Sequence, residues 1–201
     1  MPMDIRPPTK SQLRQAFEPY RQAFPDWSVE HDVVLYRSVC PVKQKIALHA
    51  LRSGAYRPSH SIELILPIPD GCSLLGAYLD VRHREVLLRE HDVKWPKVLK
   101  AMEEQFLPAV RKPLSVSEVL LQSEREMDRN GSENINDLTG LAAINAFAGL
   151  SQRALYWCGR VVHRAAHMGR PLGDWEVRKV EFVLALQAAV EAGTVSNLLK
   201  T

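Results

Sequence analysis

"SIELILPIPDGCSLLGAYLDVRHREV", residues 61–86, decides the fold. An apolar run meets Pro69-Asp70-Gly71, a strong turn signal, and a second run returns from it. The stretch reads as a hairpin of residues 61–67 and 74–81 with a loop of several residues. Residues 84–88 are its continuation or a further short strand.

Working outward, more strands lie upstream. Val29, His31, Val33 and Leu35 alternate with Glu30 and Asp32, and "KQKIALHALR" alternates Ile46, Leu48 and Ala50 against Lys45, Ala47 and His49. Before them Thr9 or Ser11 caps a helix whose apolar stripe is Leu13, Phe17, Tyr20 and Phe24, with Pro19 expected to kink or end it. After the hairpin, Asp92 caps a helix with the stripe Trp95, Leu99, Met102 and Phe106, closed by Lys112-Pro113. Strands that follow one another favour an antiparallel sheet with helices on one face, an α+β layer.

Beyond Pro113 the pattern is helical. Ser115-x-x-Glu118 is a capping box, opening a helix to about Met127. "DRNGSENIND" is a loop. Asn136 or Asp137 caps an Ala-rich helix running toward Met168 with a break near Gly149, and Asp174 caps a last helix closed by Gly193. The fold class is therefore α+β, an antiparallel sheet with flanking helices followed by an all-helical C-terminal part. The expected division is residues 1–112 as the sheet domain and 113–201 as a helical domain or helical cover.

Composition narrows function by exclusion. The 201 residues carry a net charge of +3, and residues 1–112 hold 17 Lys and Arg against 13 Asp and Glu. That is a mild excess, weaker than the basic patch of a dedicated nucleic-acid binder, so nucleic acid is not the expected partner. Three cysteines with no C-x-x-C pair read as reduced thiols of a cytoplasmic protein. The N-terminus has no apolar run of a signal peptide, and no stretch reads as a membrane span. Walker, Rossmann, kinase, G-x-S-x-G and EF-hand patterns are absent from the sequence. The expectation is a protein that is not an enzyme and needs no cofactor or metal.

The most polar stretch is "AYLDVRHREVLLREH", residues 77–91, with three acids, three arginines and two histidines. Read as a strand, it places Tyr78, Asp80, Arg82 and Arg84 on one side and Leu79, Val81, His83 and Glu85 on the other. "SGAYRPSH" adds Arg57 and His60 in a loop. Arg57, His60, Asp80, Arg82 and Arg84 form the expected partner-binding set. Two alternatives attach to histidines. His83 beside Glu85 has the spacing of an acid–base pair. His163 and His167, four apart on a helix, have the spacing to share a metal, with Asp174 or Glu176 as a third ligand, although Arg164 stands where zinc proteases carry a glutamate. A third alternative is a regulatory module holding nucleic acid through the basic first half.

In size and layout the chain resembles bacterial immunity proteins, cytosolic antidotes to a secreted toxin. The stretches that carry the resemblance are "QLRQAFEPYRQAFPDWSVEHDVVLYRSVCPVKQKIALHA", a helix leading into paired strands, and the hairpin quoted first. The resemblance covers roughly the first half and is one of architecture. It implies stoichiometric binding and occlusion of a toxin. Because inhibitors of nucleases tend to be acidic and this chain is basic, it further implies a toxin with an acidic or neutral face.

Overall fold

The computed structural model describes residues 6–80, 84–131 and 133–200. Among these are seven helices and one six-stranded antiparallel sheet. Along the sheet the order is β1 (Ser28–Glu30), β2 (Val34–Val39), β3 (Val42–Ala50), β4 (Ala55–Leu64) and β5 (Ser73–Tyr78). A two-residue strand, β6 (Val86–Leu87), pairs with the start of β4, Ala55 opposite Leu87 and Tyr56 opposite Val86.

The chain forms two compact units. The first comprises residues 1–38, 44–61 and 76–114, the second residues 39–43, 62–75 and 115–201. Strands β2, β3, β4 and β5 each contribute residues to both.

In the first unit, α1 (Lys10–Ala23) and α2 (His91–Gln105) lay their apolar stripes on one face of the sheet. Thr9 starts α1 as expected: its side chain accepts from the Gln12 amide, and Gln12 Oε1 accepts from the Thr9 amide. Leu13, Phe17, Tyr20 and Phe24 are buried beneath it against Leu35, Ile46, Leu48 and Tyr56. Each buried aromatic ring contributes about 1.5–3 kcal/mol of transfer free energy. That burial outweighs the local cost of Pro19, which sits inside α1 without ending it.

Several expected boundaries shift. Residues 29–35 are a hairpin rather than one strand: Glu30 pairs with Val34, and His31 and Asp32 turn the chain with φ of 52° and 66°. His and Asp are among the residues that enter this left-handed region most readily, so a turn forms with neither Gly nor Pro to mark it. "SGAYRPSH" is not a loop. The turn is confined to residues 51–54, where the Leu51 amide donates to Ala55 O, and β4 begins at Ala55. Pro58 lies inside β4, two residues beyond its pairing with β6. Helix α2 starts at His91 rather than at an Asp92 cap and ends at Gln105, well before Pro113.

The second unit contains α3 (Val116–Asn130), α4 (Ile135–Phe147), α5 (Ser151–Ala166), α6 (Asp174–Glu191) and the short α7 (Val195–Leu198). The first three residues of "DRNGSENIND" continue α3 up to a left-handed Gly131, the last three open α4, and Asn134 caps that helix. Every residue from 138 to 146 of α4 is buried, and α3, α5 and α6 pack around it. At its start α6 is fixed to the 69–71 turn: Arg178 pairs with both oxygens of Asp70 at 2.9 and 3.0 Å, and the buried Lys179 ammonium donates to Gly71 O. No helix of the described residues is long and apolar enough to cross a membrane.

Candidate protein-binding face

Alternation along β4 sorts its side chains. Tyr56, Pro58 and His60 are buried, whereas Arg57, Ser59 and Ser61 point to the opposite, uncovered face and are half-buried. On the same face β3 contributes Lys45, Ala47 and His49. Lys45 pairs with Glu30 of β1 at 3.6 Å, and His49 Nε2 lies 2.7 Å from Ser59 Oγ.

At the edge of this face sits Tyr78, at the end of β5, with 54% of its surface exposed. The Arg57 guanidinium lies over its ring at 5.2 Å and that of Arg84 at 5.5 Å. Both distances fall within the range where a cation is drawn to the π-face. Arg57 also pairs with Glu85 at 2.5 Å. Arg84 makes no ion pair with any described residue, and among these its guanidinium rests on Tyr78. Asp80 is exposed, and its amide donates to Gln105 Oε1 at 2.9 Å.

Arg57 and Arg84 of the expected set thus meet at Tyr78, while Asp80 follows two residues later with its amide held by Gln105. Arg82 and His83 lie outside the described residues. The face assignment of residues 77–91 needs correction, because β5 stops at Tyr78 and strict alternation ends there. Glu85 does not face the helices. It is exposed and meets Arg57 on the same side as Arg84.

His60 is the clearest departure. It is 2% exposed, stacked on Phe106 at 4.9 Å, and part of a buried polar chain. Arg37 Nε donates to Gln44 Oε1 at 2.7 Å, and Gln44 Nε2 donates to Pro108 O at 2.8 Å and to His60 Nε2 at 2.9 Å. With Gln44 donating, His60 Nε2 accepts and the ring proton sits on Nδ1, which is enclosed with no described partner. Burial, and then the nearby Arg37 charge, push the imidazole pKa down to about 3. Beside it, Tyr20, Tyr56 and His91 form a second buried chain at 3.0 and 2.9 Å; burial raises Tyr56 to about 12 and lowers His91. These groups are structural, not presented to a partner.

In the second unit His163, in the last turn of α5, and His167, its C-cap, are both exposed, with ring centroids 4.2 Å apart and planes 24° from parallel. Glu176 is not available as a third ligand: it is 3% exposed and accepts from both Arg170 nitrogens at 2.6 and 2.9 Å and from the Gly173 amide at 2.7 Å. Among the described residues no group of three or more His, Cys, Asp or Glu side chains is placed to hold a metal.

No family model, curated protein or solved structure matches the chain.

Sequence reasoning missed Tyr78, the ring on which the region is organised. Its signal was present: an aromatic residue with arginines nearby in a polar stretch. What the sequence does not give is that Arg57, 28 residues before Glu85, arrives at the same place through the pairing of β4 with β6.

Proposed function

We propose that this chain is a cytoplasmic binding protein of the immunity type, which neutralises a secreted bacterial toxin by stoichiometric occlusion rather than by turnover. The observation that carries the reading is Arg84, an exposed guanidinium resting on Tyr78 with no carboxylate of its own among the described residues. Tyr and Arg are the residues most enriched at binding hot spots, and an arginine already oriented by a ring loses less freedom when it engages a carboxylate. The complementary partner surface is acidic. Both guanidiniums lie over the tyrosine ring, which leaves it poorly placed to stack on a base, so a protein partner is favoured over single-stranded nucleic acid.

The test is co-expression with the secreted protein encoded by the adjacent gene, followed by titration of the purified pair. Arg84→Glu is expected to weaken binding by roughly 2 kcal/mol or more, and Tyr78→Ala by a similar amount. Both residues are exposed, so melting temperatures should change little. One-to-one binding that protects the host supports the reading. Unchanged affinity in both variants removes this face from it. A salt-sensitive mobility shift with RNA or DNA, with no binding to the protein, would replace it with the nucleic-acid reading.

A further inference from the structure

We propose that His163 and His167 form a surface site for a divalent transition-metal ion of the kind that prefers imidazole, such as Ni²⁺, Cu²⁺ or Zn²⁺. The site is independent of the protein-binding face. Three observations converge on it. The residues stand four apart at the end of α5, His163 in its last turn and His167 at its C-cap, and their rings are stacked on one another. Their centroids are 4.2 Å apart. Two imidazole nitrogens that share a tetrahedral metal at about 2.0–2.1 Å each lie roughly 3.4 Å from one another, so rings this close reach a common ion by turning out of the stack until their in-plane lone pairs converge.

The third observation is the tautomer. His167 Nδ1 lies 2.7 Å from the His163 carbonyl oxygen, which can only accept, so Nδ1 carries the proton. The lone pair is then on Nε2, the atom turned away from the backbone. A ring N–H donated to a backbone carbonyl is the arrangement that orients metal-binding histidines and raises their basicity. Arg164, between the two, is drawn off to Glu133 at 3.2 Å, which reduces the repulsion it would exert on a cation.

With two protein ligands the remaining coordination positions fall to water or to an incoming ligand. The site is therefore an exchangeable one, of the open type rather than the closed type that supports a fold.

Calorimetric titration of the full chain with Ni²⁺ tests this, in a Cys40→Ser background because that thiol is exposed and would compete. The expected result is one equivalent bound through this pair, with His163→Ala and His167→Ala each weakening it by about tenfold or more. Arg164→Ala should leave binding intact or tighter. Ni²⁺ should also raise the melting temperature of the parent but not of the histidine variants, because an ion that binds only the folded state stabilises it. All four side chains are solvent-accessible, so each variant should fold. No Ni²⁺ binding, or binding of equal strength in the parent and in both histidine variants, would overturn the assignment.

Discussion

Acidification from pH 7 to pH 5 is expected to cost the folded chain roughly 2 kcal/mol through His60 alone. The imidazole of the unfolded chain takes up a proton near pH 6.5, whereas in the fold burial holds it neutral down to about 3. Between these values the unfolded state binds more protons. Stability is thus complete above pH 6.5, falls as the pH drops below it, and levels off near pH 3 with roughly 5 kcal/mol lost. His91, also lowered by burial, adds a loss of the same sign. The structural cause is specific. His60 Nε2 is already taken by the Gln44 amide, and protonation would turn that acceptor into a second donor facing a donor, beside the Arg37 guanidinium.

His60→Phe separates this cause from general acid lability. Phenylalanine keeps the stacking on Phe106 and cannot ionise. It leaves one Gln44 N–H without an acceptor, which should cost about 1–3 kcal/mol at pH 7. Urea unfolding midpoints followed from pH 7.5 to pH 4.5 should therefore start lower in the variant and fall less steeply. Parallel curves for the two proteins would show that His60 is not the acid-sensitive group.

His60 also shows where sequence reasoning stops. The helices of residues 113–201 are legible because their breaks are local, at Pro113, Gly149 and Gly193, although Ser115 makes no capping hydrogen bond and Gly173, not Asp174, is the N-cap of α6. A helix satisfies its backbone within itself, so capping residues and a 3.6-residue period are sufficient marks. A strand is completed by a partner elsewhere in the chain. The antiparallel sheet and its hairpin were recovered, but β1 and β2 were read as one strand because His31-Asp32 turns without Gly or Pro. β4 was begun six residues late because Pro58 argues against a strand. Tyr56, Pro58, His60, Ile62 and Leu64 share one parity, and extending that alternation backward was the signal that would have placed His60 in the core. Of the expected binding residues, Arg57 and Arg84 converge on Tyr78 through strand pairing, which no spacing in the sequence encodes.

Two glycine-to-alanine substitutions in neighbouring helices are expected to act with opposite sign. Gly140 lies in the buried middle of α4, and a Cβ built there would stand 2.5 Å from Cys72 Sγ and 2.7 Å from Leu74 Cδ2. Both neighbours are themselves buried, at 7% and 8% exposure, so neither has open space to move into. Alanine is a better helix former than glycine by about 1 kcal/mol. Overpacking a filled site costs about 1–3 kcal/mol, and two contacts below 3.0 Å place this one toward the upper end. Gly140→Ala should therefore destabilise by about 2 kcal/mol net. Gly159, on α5, is exposed, and a Cβ there meets nothing within 4 Å. With no clash to oppose it, the propensity gain remains, and Gly159→Ala should stabilise by up to about 1 kcal/mol. Cys72→Ala supplies the mechanism test. It removes the sulfur that the new methyl would strike, so Cys72→Ala combined with Gly140→Ala should be more stable than the sum of the single effects by about 1 kcal/mol. Thermal or urea unfolding of the four proteins measures the coupling. Strict additivity, or a stabilising Gly140→Ala, would mean that α4 does not approach Cys72 and Leu74 as closely as the structure has it. The glycine would then be an ordinary weak point in a helix rather than the residue that lets α4 seat against β5.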